Sequence, residues 1–211
     1  MSERPPQQTW EKVVEILEVS VLAIVAIATA FTGYQGTQWG GEQARLYGLA
    51  SSTRFQADAA STLGGQQLVA DSAFLTAWLQ AHRAGDRELE QILERRFTPD
   101  YAIAFRQWLA TDPFTDPDAP PGPAAMPGYS NPALTRAAKL NARASRYFDA
   151  GTAARETANK YVRLTVLFAS VLFFVAIAQR FRLRGVRASA NAIALVLLAY
   201  TVYGVGSLPR I

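Results

Sequence analysis

The hydrophobic pattern divides the chain into three long apolar segments and one large mixed region. The apolar segments cover residues 13–34, 162–179 and 188–208. Their lengths are close to the about 20 residues that a helix needs to cross the hydrocarbon core of a bilayer. The pattern therefore predicts an all-α membrane protein with three transmembrane helices, and it leaves residues 35–161 as a separate domain.

The mixed region begins with a stretch rich in Ala, Ser and Gln at residues 42–63. This composition predicts a helix that continues from the first apolar segment. Glycine pairs punctuate helices, so a break is expected at Gly40-Gly41 and a kink or turn at Gly64-Gly65.

Residues 66–110 carry apolar side chains at helical spacing, which predicts a compact cluster of shorter helices. One helix is expected to end and another to begin at Ala84-Gly85-Asp86. A further helix is expected to begin after Thr98, because Pro99 suits the first helical position.

Proline is concentrated between residues 112 and 132, which hold seven of the eleven prolines of the chain. This stretch is predicted to be a long loop, either partly polyproline-like or disordered. The proline-free residues 133–161 then predict one helix that runs into the second apolar segment. Small residues recur along it and permit close packing against an antiparallel helix 42–63. The expected domain is an extracytoplasmic helical stalk with a small helical cap, and the stalk's apolar stripe also suits a coiled coil.

An arginine-rich turn at residues 180–187 joins the last two apolar segments. Its basic residues are Arg180, Arg182, Arg184 and Arg187. Short loops rich in Lys and Arg stay in the cytoplasm, so the turn and residues 1–12 are expected inside, with residues 35–161 outside. The four arginines either contact anionic lipid head groups or only set the topology.

Aromatic residues flank the predicted spans. Trp10 and Trp39 bracket the first one, about 44 Å apart if the intervening chain is helical. Tyr161 and Tyr203 lie near the outer ends of the other two spans. Tryptophan and tyrosine favour the membrane–water interface, so these four residues are predicted interface anchors.

Two glutamates, Glu15 and Glu18, lie about one turn apart near the start of the first apolar segment. Acidic residues here argue against a cleaved signal peptide, so the segment is expected to stay as an anchor. Carboxylates at membrane depth are costly and usually have a role, such as an ion path. The alternatives are an inert helix start, lipid contact, or ion pairs with Arg180, Arg182 or Arg184.

Composition excludes several kinds of site. The chain has no cysteine and a single histidine, His82, so thiolate chemistry is impossible and a metal centre is not expected. No nucleophile-elbow, phosphate-loop or dinucleotide-binding motif occurs. We therefore expect no catalytic, cofactor-binding or metal-binding residues, and a protein that is not an enzyme.

The net charge of +4 is explained by basic residues close to the predicted membrane spans. Residues 35–161 contain 13 basic and 13 acidic side chains, so the basic excess lies near the apolar segments. A nucleic-acid partner is not expected, because such binding needs a basic stripe on a soluble domain. The expected partners are membrane lipids and either further copies of the chain or a larger membrane complex.

The stretch Trp39-x-x-Glu42-Gln43-Ala44-Arg45-Leu46-Tyr47 follows the first apolar segment. Together with the order of the segments, this stretch resembles small uncharacterised bacterial inner-membrane proteins. The resemblance implies the same layout, a location in the bacterial inner (plasma) membrane, and no catalytic residues.

Two functions are compatible with these features. The first is an oligomeric scaffold or accessory subunit that presents a helical extracytoplasmic domain. Its expected self-association seams are Ala26, Ala30 and Gly204 in the spans, together with the stalk. The second is an oligomeric ion channel or transport component, with acidic and polar residues of the first span along the path. Its polar lining would be Ser20, Thr29, Thr32 and Asn191.

Overall fold

The computed structural model of the protein describes residues 6–180 and 184–211, with side chains described at 16, 19–180 and 185–211. Five α-helices and one short 3-10 helix make up this part of the chain, and no β-strand occurs in it. The α-helices are α1 (Pro6–Ala84), α2 (Arg87–Glu94), α3 (Pro99–Leu109), α4 (Pro132–Arg180) and α5 (Arg184–Ser207), and the 3-10 helix is Pro123–Ala125. The predicted all-α class is confirmed.

The chain divides into two compact units. Unit 1 comprises Met1–Tyr47 and Phe148–Ile211, and unit 2 comprises Gly48–Tyr147. Helices α1 and α4 therefore contribute residues to both units, whereas α2, α3 and the proline-rich loop belong to unit 2 alone.

Unit 1 contains apolar stretches of α1, α4 and α5. All three of these helices are long and apolar enough to cross a membrane, as expected. A buried cluster formed by Val25, Phe168, Val171, Val175 and Ala194 joins them. Much of the remaining apolar surface is exposed, including Ile27 and Val196, each 71% exposed.

Helices α1 and α4 run antiparallel in unit 1 and approach closely at glycines. A Cβ atom added at Gly36 would lie 3.6 Å from the Tyr161 Cβ, and one added at Gly151 would lie 2.6 Å from the Tyr47 ring. Gly204 of α5 has the same role towards α4, because an added Cβ would lie 2.8 Å from Leu164. Gly204 thus serves packing within one chain.

Unit 2 has its own aromatic core, formed by Trp78, Phe97, Tyr101, Phe105 and Trp108. The predicted compact cluster at residues 66–110 is present, and α2 and α3 are its short helices. Residues 66–84 continue α1, so the separate helix expected there is wrong.

The local signals that bound these helices act as expected. Helix α1 ends before Gly85, whose φ of +73° lies in the left-handed region that favours glycine. Helix α2 then starts after Asp86, which accepts a hydrogen bond from the Leu89 amide at 3.0 Å. The predicted start of α3 at Pro99, after Thr98, is also confirmed.

The glycine pairs of α1 do not interrupt the helix, so the predicted break at Gly40-Gly41 and the turn at Gly64-Gly65 are wrong. An interior glycine costs only about 1 kcal/mol, and packing can offset that cost. Gly64 shows how, because the Leu134 side chain of α4 occupies the space that a Cβ would need.

The proline-rich loop packs onto α3. The Trp108 indole donates a hydrogen bond to the Pro120 carbonyl at 2.7 Å. Pro123 is buried, and Met126 and Tyr129 pack against the aromatic core of unit 2. The prediction of a long loop is confirmed, and the loop consists of turns and the 3-10 helix.

Two adjacent glycines give a matched test of the α1–α4 contact in unit 2. A Cβ at Gly64 would lie 2.7 Å from Leu134, whereas nothing lies within 4 Å of one at Gly65. We expect Gly64→Ala to destabilise the protein by about 1–3 kcal/mol through overpacking. Gly65→Ala should stabilise it by up to about 1 kcal/mol. Thermal unfolding of the full chain in mild detergent measures both, and equal effects would contradict the assigned contact.

Candidate functional site

The predicted ion-pairing residues fall largely outside the described side chains. This applies to Glu15, Glu18, Arg182 and Arg184. Arg180 ends α4 and is exposed, and Arg187 is half-buried in the first turns of α5. The glutamate–arginine pairing, the ion path and the lipid contact therefore stay predictions.

The predicted interface anchors have different environments. The Trp10 side chain lies outside the described residues, and Tyr203 is 80% exposed. Trp39 and Tyr161 share one acceptor, since the indole and the phenol donate to the Pro209 carbonyl at 3.2 Å and 3.0 Å. Their role as interface anchors stays a prediction, and sequence reasoning missed this contact.

The same region of unit 1 holds a second link to the residues after α5. The Gln35 side chain donates to the Ile211 carbonyl at 3.1 Å and accepts from the Ile211 amide at 3.2 Å. Gln35 is buried, so these two bonds satisfy an amide group that would otherwise be costly.

The hydroxyl groups suggested as a pore lining are satisfied within the chain. Ser20 and Thr29 donate to backbone carbonyls four residues earlier. Thr32 is fully buried, and its hydroxyl accepts a hydrogen bond from Thr165 at 2.9 Å. Asn191 is half-buried. Thr32 thus joins α1 to α4 inside unit 1.

Unit 2 contains a cleft of about 640 Å³ in volume. Three elements line it: α1 from Gln56 to Gln67, the start of α3 at Thr98–Asp100, and the chain from Tyr129 to Arg136 at the start of α4. Its lining combines apolar, amide and charged side chains, which is typical of a small-molecule or peptide site. We refer to it as the unit 2 cleft.

A buried carboxylate fixes the position of α3 beside this cleft. Asp71 of α1 is 1% exposed and accepts hydrogen bonds from the Thr98 amide at 2.8 Å and the Thr98 hydroxyl at 2.6 Å. Thr98 precedes α3, so the carboxylate satisfies donors at the helix start. The sequence signal was available, because Asp71 shares an apolar stripe with Leu68, Leu75 and Trp78 at helical spacing.

Two tyrosines lie near Asp71. Burial, and then the Asp71 carboxylate, raises the pKa of Tyr101 to about 12. Burial and the same carboxylate also raise the pKa of Tyr129, although the nearby Asn131 side chain opposes the rise. The Tyr129 hydroxyl is buried, and no group meets hydrogen-bond geometry with it in the described structure. Both phenols therefore keep their protons at neutral pH.

The starts of the two helices at the cleft differ. Asp71 accepts from Thr98, the residue before α3, but no side chain caps the first amides of α3. Asn131 accepts from the Ala133 amide at 2.9 Å and the Leu134 amide at 3.1 Å at the start of α4. The Asn131 amide group in turn donates to Gln67 of α1 at 3.1 Å, which ties α4 to α1 beside the cleft.

His82 packs at the edge of the aromatic core of unit 2. Its ring contacts those of Trp78 and Phe114, with centroids 4.8 Å and 5.1 Å away, and its Nδ1 lies 3.2 Å from a Glu90 oxygen. No group of three or more potential metal ligands occurs among the residues that the structure describes. The position of His82 is explained by packing and one hydrogen bond.

Comparison with known proteins finds no protein family, no curated protein and no solved structure that matches this chain.

Replacement of Asp71 tests its role at the start of α3. Asp71→Ala leaves the Thr98 amide without its acceptor in a buried place, so we expect a loss of about 2–4 kcal/mol in the free energy of unfolding. Asp58 is an exposed aspartate of the same helix and gives the control. Asp58→Ala should change stability by less than about 0.5 kcal/mol. Equal effects in denaturant titrations of the full chain would contradict the buried role.

The raised pKa of Tyr101 predicts an alkaline loss of stability. In the unfolded chain tyrosine loses its proton near its ordinary pKa of 10, whereas folded Tyr101 keeps it to about 12. Its contribution of about 2–3 kcal/mol is therefore complete below pH 10 and is lost as the pH rises from 10 towards 12. Tyr101→Phe should flatten the pH dependence of the unfolding midpoint in this window. Tyr147→Phe, which leaves Tyr101 intact, should retain the wild-type slope, and a wild-type slope in Tyr101→Phe would refute the assignment.

Proposed function

We propose that the chain is a multi-pass protein of the bacterial inner membrane that presents unit 2 outside the cytoplasm as a helical interaction domain. In this proposal it is a scaffold or accessory subunit and not an enzyme. The observation that carries it is the apolar surface of unit 1. Ile24, Ile27 and Val196 are 61%, 71% and 71% exposed on helices that are long enough to span a bilayer. Exposed apolar area of this extent is stable in lipid and costly in water.

The arginine-rich turn supports the orientation. Arg180 ends α4 and Arg184 begins α5, so the basic residues fall in a short connection between two apolar helices. Basic residues in short loops favour the cytoplasmic side. Unit 2 lies between the first and second apolar segments, so that orientation places it on the opposite side.

An interaction role for unit 2 is supported by its internal architecture. Its aromatic core and the Asp71–Thr98 hydrogen bonds stabilise it from within, whereas the unit 2 cleft is not filled by any side chain of the unit. Self-association in the membrane is supported by Ala26 and Ala30, which are exposed on α1 four residues apart. Small residues at this spacing let transmembrane helices approach closely.

Single-cysteine labelling tests the location, because the natural chain has no cysteine. Ser61 is exposed in unit 2, and Val186 is exposed at the start of α5, within the arginine-rich turn at residues 180–187. In intact spheroplasts we expect a membrane-impermeant maleimide to label Ser61→Cys and not Val186→Cys. Both variants should react once the membrane is permeabilised. The reverse pattern, or recovery of the chain in the soluble fraction, would overturn the proposal.

The labelled Ser61→Cys chain also tests the accessory role. After extraction in mild detergent, native mass measurement should give a mass above that of one chain, from further copies or from a co-purifying protein. A strict monomer with no companion would contradict the scaffold role and leave the topology result intact.

A further inference from the structure

We propose that the unit 2 cleft binds a small zwitterion of the amino-acid or short-peptide class, with one carboxylate and one ammonium group. This rests on the proposed function, in which unit 2 is an interaction domain outside the cytoplasm. The cleft has a volume of about 640 Å³. This lies within the range of about 300–1,000 Å³ that is typical of ligand pockets.

Two opposite charges on different helices line the cleft. Asp100 is at the start of α3 and Arg136 is in the second turn of α4, and both are exposed. Neither forms an ion pair within the described part of the chain. A ligand that carries separated positive and negative groups can meet Asp100 with its ammonium and Arg136 with its carboxylate.

The start of α4 does not supply the charge recognition, because its first amides already donate to Asn131. Asp100 and Arg136 are the two charged side chains that line the cleft, so they are the groups that select a ligand by charge. Arginine suits a carboxylate because its guanidinium can donate two parallel hydrogen bonds.

The rest of the lining fits the body of such a ligand. Ala59, Ala60 and Leu63 of α1 form an apolar wall, and Leu63 is 51% exposed. Gln56 and Gln67 of the same helix add amide groups that can pair with a peptide backbone.

Trialanine with free ends is the first probe, and isothermal titration of the full chain in mild detergent is the measurement. We expect Arg136→Gln to weaken trialanine binding by about tenfold or more, because a charge-assisted hydrogen bond is lost. Trialanine with an amidated carboxyl end should bind the natural chain more weakly, and its affinity should not fall further in Arg136→Gln. Arg146→Gln, an exposed arginine of the same helix outside the cleft, is the matched control and should leave affinity unchanged.

Asp100 is tested at the other end of the ligand. Asp100→Asn should weaken trialanine binding to a similar extent, and N-acetylation of trialanine should remove the difference between this variant and the natural chain. Asp58→Asn is the matched control, because Asp58 is exposed on α1 and does not line the cleft. Unfolding midpoints equal to that of the natural chain show that each variant is folded.

The outcomes are separable. Single alanine as a second probe distinguishes a free amino acid from a peptide, and binding of either supports the inference. No binding of either probe would overturn it. Equal losses of affinity for free, amidated and acetylated trialanine in Arg136→Gln and in Asp100→Asn would overturn it as well. Such a failure, together with external labelling of Ser61→Cys, leaves the proposed function in place. Labelling of Ser61→Cys from the cytoplasmic side alone would overturn the proposed function even if the cleft binds trialanine in detergent.

Discussion

Close packing of α1 against α4 occurs inside both units, and it brings together residues that are far apart in the chain. In unit 1 it occurs at Gly36 and Gly151, and in unit 2 at Gly64. A glycine at such a point trades helix propensity for backbone proximity, and the gain comes from dispersion contacts along the neighbouring turns. In unit 1 this proximity also brings Thr32 within hydrogen-bond distance of Thr165. In unit 2 it allows Gln67 to reach Asn131, which caps α4.

The elements that the sequence predicts well are those governed by local rules. Apolar length identifies the three long helices. The stop at Gly85 and the start at Thr98-Pro99 follow from capping and from the conformational preferences of glycine and proline. The predictions at Gly40-Gly41 and Gly64-Gly65 fail for the same reason, because local rules alone expect a glycine pair to interrupt a helix. Whether it breaks the helix depends on the partner helix, and that partner is 70 residues away at Leu134 in the case of Gly64.

The candidate site was less accessible from sequence because it is assembled from distant segments. Asp71 and Thr98 are separated by 27 residues, and Gln67 and Asn131 by 64. The aspartate on an apolar stripe was a readable signal that a buried partner exists, but the pattern does not say which residue it is. The proline-rich loop is similar. Its composition excludes a helix through it, yet its order depends on tertiary contacts such as the one between Trp108 and Pro120.

The two units solve the problem of buried polar groups in different ways, and the difference bears on function. In unit 1, Thr32, Thr201 and Gln35 are buried and each is hydrogen-bonded inside the chain, mostly to backbone carbonyls. Such self-contained bonding suits helices that cannot rely on water for partners. In unit 2 the Asp71 carboxylate is also satisfied, but the Tyr129 hydroxyl and the charges of Asp100 and Arg136 are not paired within the described chain. A buried hydroxyl and two opposite charges on different helices thus meet at one concave site in unit 2, and that combination is the physical reason to look for a ligand there and not among the apolar helices.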